Sequence, residues 1–162
     1  MSIFPEIKKN FGFGCMRLPM NGEDVDFAEF SRMIDIFLAN GFNYFDTAHG
    51  YLNGKSETAI RECLAKRYPR EAYLLTNKLS ANHFNKNEDI RPLFESQLAA
   101  CGVEYFDFYL MHAQNKEKFE KYKACRAYEQ YRYITHGLHN RHGNFTASLA
   151  FDVSEYFFRK RS

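Results

Sequence analysis

Three short apolar runs in this sequence deliver a polar residue at nearly equal intervals. That recurrence restricts the fold more than any other feature. Asp46 lies in the run 42–48, Lys78 in 72–79 and His112 at the end of 105–112, so the three are 32 and 34 residues apart. An earlier run, 11–18, carries Gly12 and Gly14. Between the runs the apolar spacing becomes helical. Phe27, Phe30, Met33, Ile34, Phe37 and Leu38 share one face of a predicted helix over 26–39, which Asn40-Gly41 stops. Glu23, Asp24 and Asp26 crowd its start, where the helix dipole favours acidic groups. Ser56 is a good N-cap for a second helix carrying Thr58, Ile60, Cys63 and Leu64. A third helix is predicted over 89–100, with Leu93, Phe94 and Leu98 inward and Cys101-Gly102 after it. A charged fourth follows over 116–130.

Four strand–helix units in succession imply a parallel sheet with crossover helices. Runs that are apolar on both faces suit strands covered by helices. A (β/α)8 barrel of about 250 residues has a period of ~31, which fits the observed spacing. A doubly wound sheet has a similar period, but its G-x-G-x-x-G fingerprint lacks the third glycine here: Gly12-Phe13-Gly14 runs into Cys15-Met16-Arg17. The expected architecture is therefore α/β, a parallel barrel type of four or five βα units, half a TIM barrel.

Composition narrows the class without choosing the chemistry. The 162 residues are 45% hydrophobic and 26% charged, ordinary globular values that exclude collagen-like and disordered chains. A net charge of +2 gives no reason to expect nucleic acid. No apolar run approaches the ~18 residues of a spanning helix, and the first residues show no signal peptide. Cys15, Cys63, Cys101 and Cys125 are scattered, with no C-x-x-C pair. They read as free thiols in a reducing, cytoplasmic setting.

In a parallel barrel, chemistry gathers at the C-terminal ends of the strands. Asp46, Lys78 and His112 belong at that rim, with Tyr51 in the loop after the second strand. A phenol, an ammonium, a carboxylate and an imidazole on one rim make a proton-transfer site. An ammonium favours the ionised form of a neighbouring phenol, and a carboxylate holds the ammonium in place. An imidazole can hydrogen-bond a substrate carbonyl. Each residue has a plainer reading. Asp46 is also a helix cap, Lys78 a solvated charge, His112 a core histidine, and Tyr51 is one of 11 tyrosines. Convergence on consecutive strand ends is what favours function.

The segments FGFGCMRLP at 11–19, GFNYFDTAHGYLNGKSE at 41–57, LLTNKL at 74–79 and FDFYLMHAQN at 106–115 resemble the aldo-keto reductases, in matching order and spacing over about residues 8–130. The resemblance implies NADPH-dependent reduction of an aldehyde or ketone. Tyr51 would be the proton donor, Lys78 and Asp46 its supporting pair, and His112 the group that orients the carbonyl. The backbone around Gly14, Cys15 and Met16, together with Asp46, would lie at the nicotinamide end of the cofactor. Gly54, Lys55, Ser56 and Glu57 match a family segment and read mostly as a turn, a cap and a helix start. The expected partner is a small carbonyl substrate, with no nucleic acid, membrane, metal or iron–sulfur cluster.

The sequence departs from the family after Gln130. Members run to roughly twice this length, and their phosphate contacts come mainly from late strands. The expectation is a truncated chain with an N-terminal half-barrel over 1–130 and a divergent tail over 131–162, whose end arises from a shifted reading frame or a replacement. Its NADPH grip is expected to be weakened or lost. Half a barrel leaves open edges, which predicts self-association. The alternatives are a non-catalytic remnant or association module and a regulatory binding subunit. In the tail, His136, His139 and His142 at three-residue spacing suggest a metal site, and Arg159-Lys160-Arg161 an anionic surface. Regular ligand geometry for the histidines would also need a helix there, and the plain reading of the basic cluster is a solvated end.

Overall fold

The computed structural model describes residues 6–129. The histidine and basic clusters of the tail, and the 131–162 segment itself, lie outside the described residues. Strand β1 (Gly12–Gly14) opens the chain's main sheet. It is followed by a two-stranded antiparallel ribbon, β2 (Met20–Asn21) and β3 (Asp24–Val25). Helix α1 (Phe27–Ala39), β4 (Tyr44–Asp46), α2 (Lys55–Ile60), β5 (Leu74–Leu79), α3 (Ile90–Cys101), β6 (Phe108–Met111) and α4 (Lys116–Ala124) complete the order. The sheet order β1-β4-β5-β6 is parallel throughout, so each βα unit adds the neighbouring strand. This is the arc of a (β/α) barrel.

Local chemistry sets most of the boundaries. Asp26 caps α1 by accepting from the Glu29 N–H at 3.0 Å, and Asn115 caps α4 through the Lys118 N–H at 2.8 Å. Gly102 ends α3 at φ 67°, a left-handed stop open to glycine at little cost. On α1 the buried positions are Phe30, Ile34 and Phe37, whereas Phe27 and Met33 remain exposed. The inward stripe is thus narrower than the six apolar residues predicted. The run 11–18 yields a strand of only three residues, because the chain turns after the Cys15 N–H reaches Asp46 O at 2.8 Å. The β2–β3 ribbon was not predicted, since two-residue strands carry no periodicity.

Strand alternation then divides the side chains between two layers. Phe45 of β4 faces the helices and packs among Phe13, Phe37 and Tyr73 at centroid separations of 5.1–6.3 Å. Tyr44 and Asp46 face the other way. Tyr44 lies against Gly12, where a Cβ would stand 2.6 Å from its ring, so that pairing requires glycine in β1. On β5, Thr76 and Lys78 share the Tyr44–Asp46 side: the Thr76 hydroxyl donates to Tyr44 Oη at 2.6 Å. Asn77 points toward the helices, where Gln97 of α3 donates to its Oδ1 at 3.0 Å.

Candidate active site

The two faces of β5 determine which groups meet at the strand ends. Register places Asp46 opposite Thr76, so Lys78 stands two residues further along on the same face. From there the Lys78 ammonium donates to Asp46 Oδ1 at 2.6 Å and to the Thr47 carbonyl at 2.7 Å. Lys78 is 8% exposed. A buried ammonium is tolerated when it is paired and hydrogen-bonded, and here both conditions hold.

The same ammonium lies 5.0 Å from the centre of the Tyr51 ring. Tyr51 opens a turn, Tyr51–Gly54, in which Leu52 and Asn53 hold left-handed backbone at φ 52° and 54°. His112 follows the last residue of β6, and its N–H donates to Leu79 O at 2.9 Å. Its ring meets the Tyr51 ring edge-on, with centroids 5.8 Å apart at 78°. The structure therefore brings Asp46, Lys78, Tyr51 and His112 into one chain of contacts. Burial holds His112 below the ordinary imidazole value, and the nearby Lys78 charge pushes it the same way.

Ser80 completes the His112 environment: its hydroxyl is 2.7 Å from Nδ1. Sequence reasoning missed Ser80, although a signal existed. It lies two residues past Lys78 and so continues the same alternation. When Nδ1 accepts the Ser80 proton, the neutral imidazole keeps its hydrogen on Nε2 as a donor.

The segment read as a turn and helix cap has a larger part. The capping position of α2 is Gly54, and no side chain caps it. Ser56 is fully buried inside the helix. Its hydroxyl donates to the Cys15 carbonyl at 2.9 Å and lies 2.8 Å from Thr47 Oγ1, so it ties α2 to the segments after β1 and β4. Glu57, 1% exposed, accepts from Asn77 Nδ2 at 2.8 Å and from His49 Nδ1 at 2.8 Å. These contacts join residues far apart in sequence, which local spacing does not reveal.

The residues expected to meet a cofactor are placed differently from one another. A Cβ at Gly14 would meet nothing within 4 Å, and Met16 is 52% exposed. Cys15 is fully buried. Its N–H donates to Asp46 O and its carbonyl accepts from the Ser56 hydroxyl. Burial pushes its thiol well above the ordinary range. Among the described residues no three His, Cys, Asp or Glu side chains gather as a metal site, and no helix is long and apolar enough to cross a membrane.

The sequence profile of the aldo/keto reductase family matches residues 10–135. The chain is 34% identical over 106 residues to 4-dihydromethyl-trisporate dehydrogenase of Mucor mucedo, covering 62% of this chain and 30% of that protein. It is 32% identical over 120 residues to the NAD(P)H-dependent D-xylose reductase of Pachysolen tannophilus, covering 68% and 34%. Among solved structures, the aldo-keto reductase from Klebsiella pneumoniae in complex with NADPH superposes with a TM-score of 0.55 at 18% identity, over 70% of this chain and 42% of that one. The chain thus spans about a third of the length of these curated relatives. With the family profile covering most of its length and a parallel sheet of the same fold, the chain belongs to the aldo/keto reductase family.

Proposed function

We propose that this chain carries the proton-transfer half of an NADPH-dependent carbonyl reductase, acting on a small aldehyde or ketone. The single observation that supports it most is the line of contacts from Asp46 through Lys78 to Tyr51 and His112. In this reading Tyr51 donates its phenolic proton to the carbonyl oxygen of the substrate. The Lys78 ammonium, anchored by Asp46 and the Thr47 carbonyl, stands beside the ring on which negative charge develops as the proton leaves. His112, held by Ser80 and with its charged form disfavoured by burial, gives its Nε2–H to the same carbonyl oxygen and fixes its direction. General acid assistance of this kind is typically worth about 10²–10⁴ in rate.

The residues at the mouth fit the nicotinamide end of such a cofactor. Gly14 leaves open space beside the backbone, Met16 presents an exposed thioether, and Asp46 supplies a partly exposed carboxylate at the rim. When bound, the cofactor supplies the hydride. Cys15 and Ser56 keep the strand-end segment in place behind that opening. The four cysteines are unpaired and buried, which supports a reducing, cytoplasmic setting. β1 is an outer strand of the described sheet, and Phe11 beside it is 65% exposed, so we also place self-association at this edge.

Titrating NADPH against the purified chain and following cofactor fluorescence tests the reading. A saturable change at sub-millimolar cofactor, weaker than a complete barrel gives, is the result that supports it. No saturation would assign this chain to the alternative, an association module without catalysis of its own.

A further inference from the structure

We propose that Glu57 is the positioning residue that sets Tyr51 against Lys78 and His112, a role that rests on the proton-transfer reading above but is read out separately from it. The network runs behind the site, on the helix side of the sheet. The Glu57 carboxylate accepts at Oε1 from Asn77, the residue before Lys78, and at Oε2 from His49, two residues before Tyr51. Asn77 in turn accepts the Lys78 backbone N–H at 2.8 Å and the Gln97 amide at 3.0 Å, and Tyr109 donates to Gln97 at 2.5 Å. One buried side chain thus bonds both the strand that carries the ammonium and the loop that carries the phenol.

The loop needs such an anchor. Tyr51 is followed by two non-glycine residues in left-handed backbone, Leu52 and Asn53, and then by Gly54 at φ 86°. Such conformations persist only where surrounding contacts impose them. Downstream of the turn the anchor is Ser56 on the Cys15 carbonyl. Upstream it is His49, held by Glu57 and packed edge-on against His83 with centroids 4.8 Å apart. A Cβ at Gly50, between His49 and Tyr51, would stand 3.5 Å from His83 Nε2, an ordinary van der Waals distance, so packing at Gly50 does not itself fix this end of the loop. Releasing the carboxylate frees the upstream end and lets the Tyr51 ring leave its place beside His112.

A merely structural carboxylate would affect folding but not the relation between the two rings. The test is the proton–proton NOE between the Tyr51 and His112 rings in the full chain, measured for the wild type, Glu57→Ala and Glu57→Gln. The glutamine retains an acceptor for Asn77 and gives a donor to the other His49 tautomer. Glu57→Ala is expected to lose the cross-peak and Glu57→Gln to keep it. In turnover assays Glu57→Ala should lower kcat at least tenfold while KM and NADPH affinity stay within twofold. A folded Glu57→Ala protein with an undiminished cross-peak overturns the proposal. If Glu57→Ala does not fold, His49→Phe removes the bond to Glu57 and keeps a ring against His83, and its cross-peak should fall at least twofold; an unchanged cross-peak overturns the proposal equally. Loss of the cross-peak in a chain that does not turn over carbonyls would sustain the positioning role and reject the reductase reading.

Discussion

The Lys78 ammonium lies 2.6 Å from Asp46 Oδ1, across the gap between two adjacent parallel strands. Lys78 is nearly buried, whereas the Asp46 side chain is 28% exposed. Asp46→Asn leaves the ammonium with neutral acceptors only. Removing one member of a fully buried pair costs about 3–5 kcal/mol, and the exposure of Asp46 reduces that to roughly 2 kcal/mol. Urea unfolding should show this loss, and Lys78→Met in the same background should recover part of it. An unchanged midpoint in Asp46→Asn would mean that the pair contributes nothing.

Ser56→Ala tests the link between α2 and the strand ends. The substitution removes the hydroxyl that satisfies the Cys15 carbonyl and leaves that buried acceptor without its donor. The expected cost is about 1–3 kcal/mol. Ser56→Thr adds a methyl group to a fully buried site and should not restore the native midpoint. A Ser56→Ala protein as stable as the wild type would show that the hydroxyl is dispensable.

The histidines give stability a definite dependence on pH. Burial holds both His112 and His83 below the ordinary imidazole value of 6.5, with nearby Lys78 adding to the first and His49 to the second. Below that value the unfolded chain binds more protons than the folded one, so folding stability rises as pH climbs toward it and levels off above. Replacing His112 by Asn should flatten the rise in melting temperature across this window. An identical slope in the variant would assign the effect to other groups.

The strand ends were legible because the recurrence of 32 and 34 residues reports the βα period directly, and because strand alternation repeats within a few residues. The fold class, the four strands of the main sheet and the position of Asp46, Lys78 and His112 at strand ends follow from that period and alternation, and Tyr51 from its place in the loop after the second strand. The helix-side network did not. Ser56 has the local chemistry of a helix cap, and only the Cys15 carbonyl, 41 residues away, shows that it is a buried tie. Glu57 looks like an acidic residue in a first helical turn, a solvated position in most helices. Its burial depends on Asn77, 20 residues on, and on a loop whose left-handed backbone no residue type announced. Cys15 was expected at the cofactor's edge through its neighbours in sequence; that its side chain is buried, its N–H bonded to Asp46 O and its carbonyl to Ser56 depends on residues 31 and 41 positions away.

The most direct test of the central claim compares carbonyl-dependent NADPH oxidation by the wild-type chain and by Tyr51→Phe, with cofactor binding measured in parallel. The phenylalanine keeps the ring that stands beside Lys78 and His112 and removes the hydroxyl that carries the proton. Turnover is predicted to fall by about 10²–10⁴ with NADPH affinity nearly unchanged. A Tyr51→Phe chain that reduces carbonyls as fast as the wild type would contradict the account.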